Sequence, residues 1–491
     1  MIHTARLLKT ASCIGALALA NVASAAQAET LRDALAAVYN TNPTLEAARA
    51  NQRATDEGVP ISRAPGLPSV DVTATHIEFL RRSGNSFTAP ERNLGVNAQL
   101  AVPIYSGGAV RNSINAAEER VSAGQADLRG TESSVFSQTV AAYMDVLRTE
   151  ALAELAANQV EVLEVTFQST SDRFEIGDLT RTDVAQSQSR LAVAQGDLRT
   201  AYANLINARE TYIRLVGRTP MGLEAPPPLP GLPERVDDAV VTALENNPDL
   251  IAAKERAAAA GFDTEVAGAG RLPTVGFFAN YDYSNFFGTL GGPVASTLTQ
   301  TETTANAGVR VSIPVFQGGL PAARQRQAGA RESAALEQVI AAERDVIAQT
   351  RSAYASWQAS NEVITSSKAA VDAAELSLEG VRAENSIGNR TIIDVLNAEQ
   401  ELLFARAQLV TARRNAYVAG FTLLAAMGKA EARDLNLDTG GPLYDPEVNY
   451  ERVRGKFWDW DRDPEPAQNS TRTVDIPPAD ALIGPTLNPD E

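Results

Sequence analysis

Apolar residues recur every seven positions along two stretches of the chain. Val184, Leu191, Leu198, Leu205 and Tyr212 form one series, with Ser187, Ala194, Ala201, Ala208 and Leu215 as companions. Val395, Leu402, Leu409, Ala416 and Leu423 form the other, beside Ala398, Ala405, Ala412, Ala419 and Ala426. Five consecutive heptads specify a coiled coil, and alanine at one core position lets helix axes approach closely. The spacing predicts helices over 181–216 and 391–427. No proline interrupts the chain between Pro103 and Pro220 or between Pro321 and Pro442, and alanine-rich helix-forming sequence fills both spans. The 64 residues from Ala109 to Asp172 make about 96 Å of helix, far longer than an ordinary globular helix.

Elsewhere the period changes to two. Leu94, Val96, Ala98, Leu100 and Val102 alternate with Gly95, Asn97, Gln99 and Ala101, and Ala305, Ala307, Val309, Val311 and Ile313 alternate with Asn306, Gly308, Arg310 and Ser312. Val275, Phe277, Ala279, Tyr281 and Tyr283 make a similar strand facing Asn280 and Asp282, and Val70 to Ile77 is a weaker fourth. Each predicts a strand with one apolar and one polar face, long enough to cross a bilayer at a tilt. A soluble hairpin explains one such pair well, but two pairs inside otherwise helical halves favour the membrane. About eight strands are the usual minimum for a barrel, so membrane-spanning strands here must be shared between several chains.

These segments are written twice. Asn42-Pro43 and Leu67-Pro68 return 205 positions later as Asn247-Pro248 and Leu272-Pro273. Thereafter the offset is 211: "VPIYSGG" (Val102 to Gly108) matches "IPVFQGG" (Ile313 to Gly319), Gly177 matches Gly388 and Asp183 matches Asp394. A surface loop at Ser284 to Thr301 is the natural place for the six extra residues. Pro103 and Pro314 mark the passage from strand to helix, and Gly177 and Gly388 the turns between helices. Predicted helices over 31–57 and 181–216 together match the 64-residue helix between them. Two short helices stacked end to end therefore run beside one long one, and each half forms two columns about 100 Å long. The turns at Gly177 and Gly388 then lie at the far tip, remote from the strands.

Residues 1–28 carry Arg6, Lys9, an apolar run from Ile14 to Ala20 and the small-residue end Ala26-Gln27-Ala28, which reads as a secretory signal peptide. The mature chain is expected to start at Glu29, without Cys13, the only cysteine. Cys13 is poorly placed for lipid attachment. Losing two positive charges takes the net charge from −17 to −19, which argues against nucleic acid as a partner. The halves span 29–216 and 236–429, joined by the proline-rich linker 217–235. Residues 430–491 hold eight prolines and fourteen acidic against six basic side chains. They read as a belt around the helices that becomes disordered from about Asp461, with Trp458 and Trp460 packed on the helical surface.

Candidate chemistry is sparse. The mature chain has one histidine, His76, with no phosphate loop or metal-ligand cluster, so neither an enzyme nor a cofactor is expected. At both tips Thr-x-x-Asp (Thr180 to Asp183, Thr391 to Asp394) precedes the heptads and predicts a capping box. Asp394, Asn397 and Glu401 form one polar stripe beside the heptad seam. In a symmetric assembly of several copies each would form a ring around the axis, and a ring of carboxylates favours cations.

The duplicated order of helix, strand pair, long helix, tip and helix, with "NP", "LP", "P-x-x-x-GG" and "G-x-R-T-x-x-D-V-L", resembles the TolC family of outer-membrane channel-tunnels over Glu29 to Lys429. The resemblance implies a mixed α and β membrane protein: a homotrimer whose three sets of four strands close a 12-stranded β-barrel in outer-membrane lipid, continued by a periplasmic α-helical tunnel. It also implies a periplasmic adaptor protein and an inner-membrane ABC or RND-type transporter as partners. Asp394 matches the first of the family's two constriction aspartates, and Asn397 stands at the second. Arg390 and Thr182 match the two members of a polar link that holds the tip closed. Asp183 matches the acid of another link, whose usual tyrosine is Asn385 here.

Two functions compete: an exit duct for efflux or type I secretion, and a periplasmic coiled-coil adaptor or scaffold without a pore. Adaptors usually carry a lipoyl-like β module and one helical hairpin. Two hairpins with two amphipathic strand pairs fit the duct.

Overall fold

The computed structural model describes residues 29–81 and 90–482. The predicted leader (1–28, with Cys13) and the end of the tail (483–491) lie outside the described residues. The first half comprises α1 (Leu31–Thr41), α2 (Pro43–Asp56), α3 (Gly58–Arg63), β1 (Ser69–Glu78), β2 (Arg92–Tyr105), α4 (Ala109–Glu175) and α5 (Arg181–Val216). The second repeats this with α6 (Val236–Asn246), α7 (Pro248–Ala269), β3 (Thr274–Asn285), β4 (Thr301–Ser312), α8 (Leu320–Ser386) and α9 (Ile392–Ala426); α10 (Pro446–Val453) follows. α4 and α8 contain 67 residues each, about 100 Å of unbroken helix. Among the described residues no helix is long and apolar enough to cross a membrane.

The short helices differ from the sequence expectation. The helix predicted over 31–57 breaks at Asn42, because Pro43 cannot supply an N–H to continue the ladder. Asn42 caps α2, its side-chain oxygen accepting from the N–H groups of Thr44 and Leu45 at 2.9 and 3.3 Å. Its Nδ2 donates 3.0 Å to the carbonyl of Leu215, one of the last in α5 and without an intrahelical partner. Asn247 repeats the arrangement, capping α7 through Asp249 and Leu250 and donating 3.0 Å to the carbonyl of Ala426 at the end of α9. The recurring Asn-Pro is therefore the joint that butts one short helix onto another. Gly428 closes the second joint in a left-handed conformation (φ +68°), and a Cβ there would lie 2.3 Å from the Asn246 carbonyl oxygen.

α4 packs along α5 and along α2 and α3; α8 packs along α9 and along α6 and α7; the halves meet where α4 lies against α7 and α9. The largest apolar cluster gathers Leu35, Val38, Phe136, Tyr143, Tyr212 and Phe421 around these junctions. The heptad seam of α9 buries Val395, Ala398, Leu402 and Ala405 against Ala374 and Leu378 of α8.

The four strands form one antiparallel sheet in the order β1-β2-β3-β4, whose edge strands β1 and β4 have no partner on their outer sides within the described chain. Its register puts Val70, Leu100, Ala279 and Ala307 in one row, and Asp71, Gln99, Asn280 and Asn306 in the next. Because successive side chains point to opposite faces, one face is apolar and the other carries amides, carboxylates and Arg310. On the polar face Asn97 Nδ2 donates 2.6 Å to Asp282, and Arg310 lies 4.9 Å from the Phe278 ring centre. The six extra residues are not confined to the loop: they divide equally among β3, its connection to β4 and the start of β4.

The junction prolines also differ from expectation. Pro103 lies inside β2, where the pairing with β3 shifts register, a place that tolerates its missing N–H. Pro314 follows the end of β4. The turn into helix is made by the glycine pairs, with Gly108 (φ +85°) and Gly319 (φ +80°) as the N-caps of α4 and α8.

Beyond α9, Ala432 N donates 2.6 Å to Glu132, Arg129 pairs with Glu431 at 2.7 Å, and Tyr444 N donates 2.8 Å to the Tyr39 hydroxyl. α10 then climbs beside α2 and α3. Asn449 donates to Asp56 at 2.6 Å, and Arg63 donates to the Arg454 carbonyl at 3.4 Å. The rest of this segment corrects two expectations. Residues 461–482, predicted disordered, descend without regular structure and dock on α5. There the buried Arg209 donates to the Asp480 side chain and carbonyl, each at 2.9 Å, and to the Leu482 carbonyl at 2.6 Å. Trp458 and Trp460 do not pack on the helices; they are 67% and 75% exposed.

Candidate functional site

Each tip begins where a long helix ends in a left-handed glycine, Gly177 or Gly388, both at φ +84°. Gly177 N donates to the Phe174 carbonyl at 3.0 Å and Asp178 N to that of Arg173 at 2.9 Å; Gly388 and Asn389 do the same with Asn385 and Glu384, at 3.0 and 2.9 Å. This double bond is the Schellman arrangement, which satisfies the last carbonyls of a helix and reverses the chain. Three residues after each glycine a threonine caps the returning helix. The Thr180 N–H and hydroxyl donate to Asp183 at 2.9 and 2.7 Å, and those of Thr391 to Asp394 at 3.0 and 2.7 Å. The hydroxyl bond, reinforced by the backbone bond, holds both carboxyl groups below the ordinary aspartate pKa.

The predicted link residues are not brought together within one chain. Arg390 turns to Glu384, six residues back across the turn, with Nε 2.6 Å from the carboxylate, rather than to Thr182. Thr182 is exposed at the start of α5. Asn385 donates 2.8 Å to the Arg390 carbonyl, and Asp183 is occupied by its cap.

The hairpins meet instead where the predicted constriction residue Asn397 is joined by Arg190, Gln400 and Leu396, none of which the sequence singled out. Arg190 of α5 donates to the side-chain oxygen of Asn397 at 3.0 Å and to Gln400. Below it, Leu396 is buried against Leu163 and Ala194, flanked by Leu191 and Ile392. Leu396 lies off the heptad positions, and its pairing with Ile392 at i, i+4 is the sequence signal of this second apolar stripe. Glu399 is buried in the α8–α9 seam, where Arg382 donates to it at 3.0 Å. Among the described residues no cluster of His, Cys, Asp and Glu could hold a metal ion.

A duplicated pair of helical hairpins about 100 Å long, capped at one end by an amphipathic four-stranded sheet, defines a subunit of an outer-membrane channel. The chain belongs to the outer membrane efflux protein family, whose profile matches residues 34–218 and 239–429. It is 31% identical over 434 residues to the outer membrane efflux protein BepC of Brucella suis, covering 88% of this chain and 92% of that one. It is 26% identical over 435 residues to the outer membrane protein TolC of Escherichia coli, covering 85% and 86%. The fold matches the CmeC outer membrane channel of Campylobacter jejuni with a TM-score of 0.71 at 16% identity, over 87% of this chain and 89% of that one.

Proposed function

We propose that the chain is the outer-membrane exit duct of a tripartite efflux or type I secretion system. The observation that carries this reading is the open amphipathic sheet: with β1 and β4 free to pair, three copies close a 12-stranded barrel, apolar outside and polar within. The helices continue the duct through the periplasm as a homotrimer. A periplasmic adaptor and an inner-membrane ABC or RND-type transporter dock there, and the transporter supplies the energy. The duct itself is passive and catalyses nothing.

The gate lies at the tip. Asp394 and Asn397 ring the constriction, and the packing of α9 on α4 and α5 joins each protomer's two hairpins at the tip. Docking shifts these helices to an open arrangement by binding it more tightly than the closed one. Within one chain Arg190 supplies a closing contact at the tip through Asn397 and Gln400. Arg390, Thr182, Asp183 and Asn385 take part through neighbouring copies.

Single-channel conductance in planar bilayers tests this. Arg190→Ala is expected to raise conductance severalfold, and Arg390→Ala or Asp183→Ala to raise it less. Unchanged conductance in all three variants would place the gate elsewhere.

A further inference from the structure

The C-terminal segment is a hairpin laid against α2, α3 and α5 of the first half, with its apex towards the sheet. On the ascending limb, Tyr444 lies beside Tyr39, Asn449 reaches Asp56, and Arg454 meets Arg63, six residues before β1 begins. On the descending limb, Asn469 donates to Glu46 at 3.4 Å and Asp480 reaches Arg209. Between them the chain reverses at Trp458 to Asp461, where Asp461 N donates 3.1 Å to the Trp458 carbonyl.

That apex bears Phe457, Trp458 and Trp460, which are 72%, 67% and 75% exposed. Such exposure is costly in water for three adjacent aromatic side chains. The fold nonetheless fixes them outward: Arg452 grips Asp463 with bonds of 2.7 and 2.8 Å, and Lys456 holds Asp461 at 3.1 Å and Asp463 at 3.3 Å. Arg454 pairs with Glu451 at 3.0 Å. These pairs offset the acidic charge that would repel an anionic surface. Tryptophan has an apolar body and one polar N–H, which suits the boundary between headgroups and acyl chains.

We propose that Phe457, Trp458 and Trp460 form an aromatic anchor that inserts into the headgroup region of the periplasmic leaflet of the outer membrane. The proposal rests on the reading of the four strands as membrane-spanning, because β1 begins just above the apex. It assigns the acidic tail a purpose: to carry the anchor up one side of the tunnel and tie it back down the same side.

The chain has three tryptophans, and the third reports from elsewhere. Trp357 lies 37 residues into α8, about 55 Å below the start of that helix, against Tyr354. Full-length Trp357→Phe protein thus reports only the anchor, and the Trp458→Phe/Trp460→Phe protein only the tunnel. Both are reconstituted into phosphatidylethanolamine and phosphatidylglycerol vesicles containing lipids brominated near the headgroup or near the chain end. Heat-modifiable migration reports barrel insertion separately. The expected result is that Trp357→Phe emission is quenched most by the shallow bromines, while the double variant is unquenched by either. If the barrel inserts and Trp357→Phe emission is unquenched, the anchor is wrong, and shielding from acrylamide in that sample would assign the aromatics to a neighbouring copy. If neither variant inserts, the membrane-spanning reading falls and the anchor falls with it.

Discussion

The carboxylate of Asp394 caps α9 and, in the proposed trimer, supplies one of three charges around the axis. Its lowered pKa fixes the sign of the pH response. The cap is fully formed above the unfolded aspartate value of about 3.9 and is lost as pH falls through the lower folded value. Cation preference, read from reversal potentials in a salt gradient, should therefore be present at neutral pH and be lost as acid protonates the ring, the cap's lowering being opposed by repulsion among the three carboxylates. Asp394→Asn should weaken it at pH 7, since Asn397 contributes no charge and only the Glu401 ring then remains in that stripe. The caps were legible because Thr-x-x-Asp is a local pattern whose partners are fixed by helix geometry. The partner of Arg390 was not, because Glu384 is brought to it only by the Schellman reversal.

At the scale of elements, heptads announced α5, α9 and the seam of α9 with α8, while the descending limb of the tail gave no signal. Its composition is that of a disordered segment, and its docking depends on Arg209, 271 positions from Asp480. That single buried guanidinium, shared with Glu150 at 2.6 Å, organises the contact. Arg209→Ala should free residues 464–482 without disturbing the helices. Trypsin, which can cut after Arg462 and Arg472, should then release C-terminal fragments several times faster than from the wild-type chain, with α4 and α5 remaining intact. Asn-Pro was legible as a repeated landmark, but the helix breaks it makes at Asn42 and Asn247 were not read, nor what they serve. The carbonyls they bond belong to Leu215 and Ala426, far along the sequence.

For the whole molecule, the alternation within four short segments and their duplication were enough to expect a shared barrel. The number of copies was not legible, since one chain carries no record of how often it is repeated. Adjacent positions in β4 give opposite predictions. Ala307 shares the apolar row with Val70, Leu100 and Ala279, so Ala307→Arg should destabilise the inserted protein by about 2–4 kcal/mol, read as a lower heat-modification midpoint. Asn306→Arg, on the polar face, should leave that midpoint in place and lower cation conductance instead. The Asn-Pro joints carry a mechanical consequence for such a duct. Each column of short helices is a rod that has been cut and butted rather than welded: α5 leads into the linker, not into α2, and side-chain bonds and apolar packing, not continuous backbone, cross the gap. α4 and α8 stand as uncut pillars beside them. Torque applied at the far mouth can therefore be absorbed by slip at the cuts, about 54 Å up from the start of α5, so the mouth can swing while the seal in the bilayer stays still.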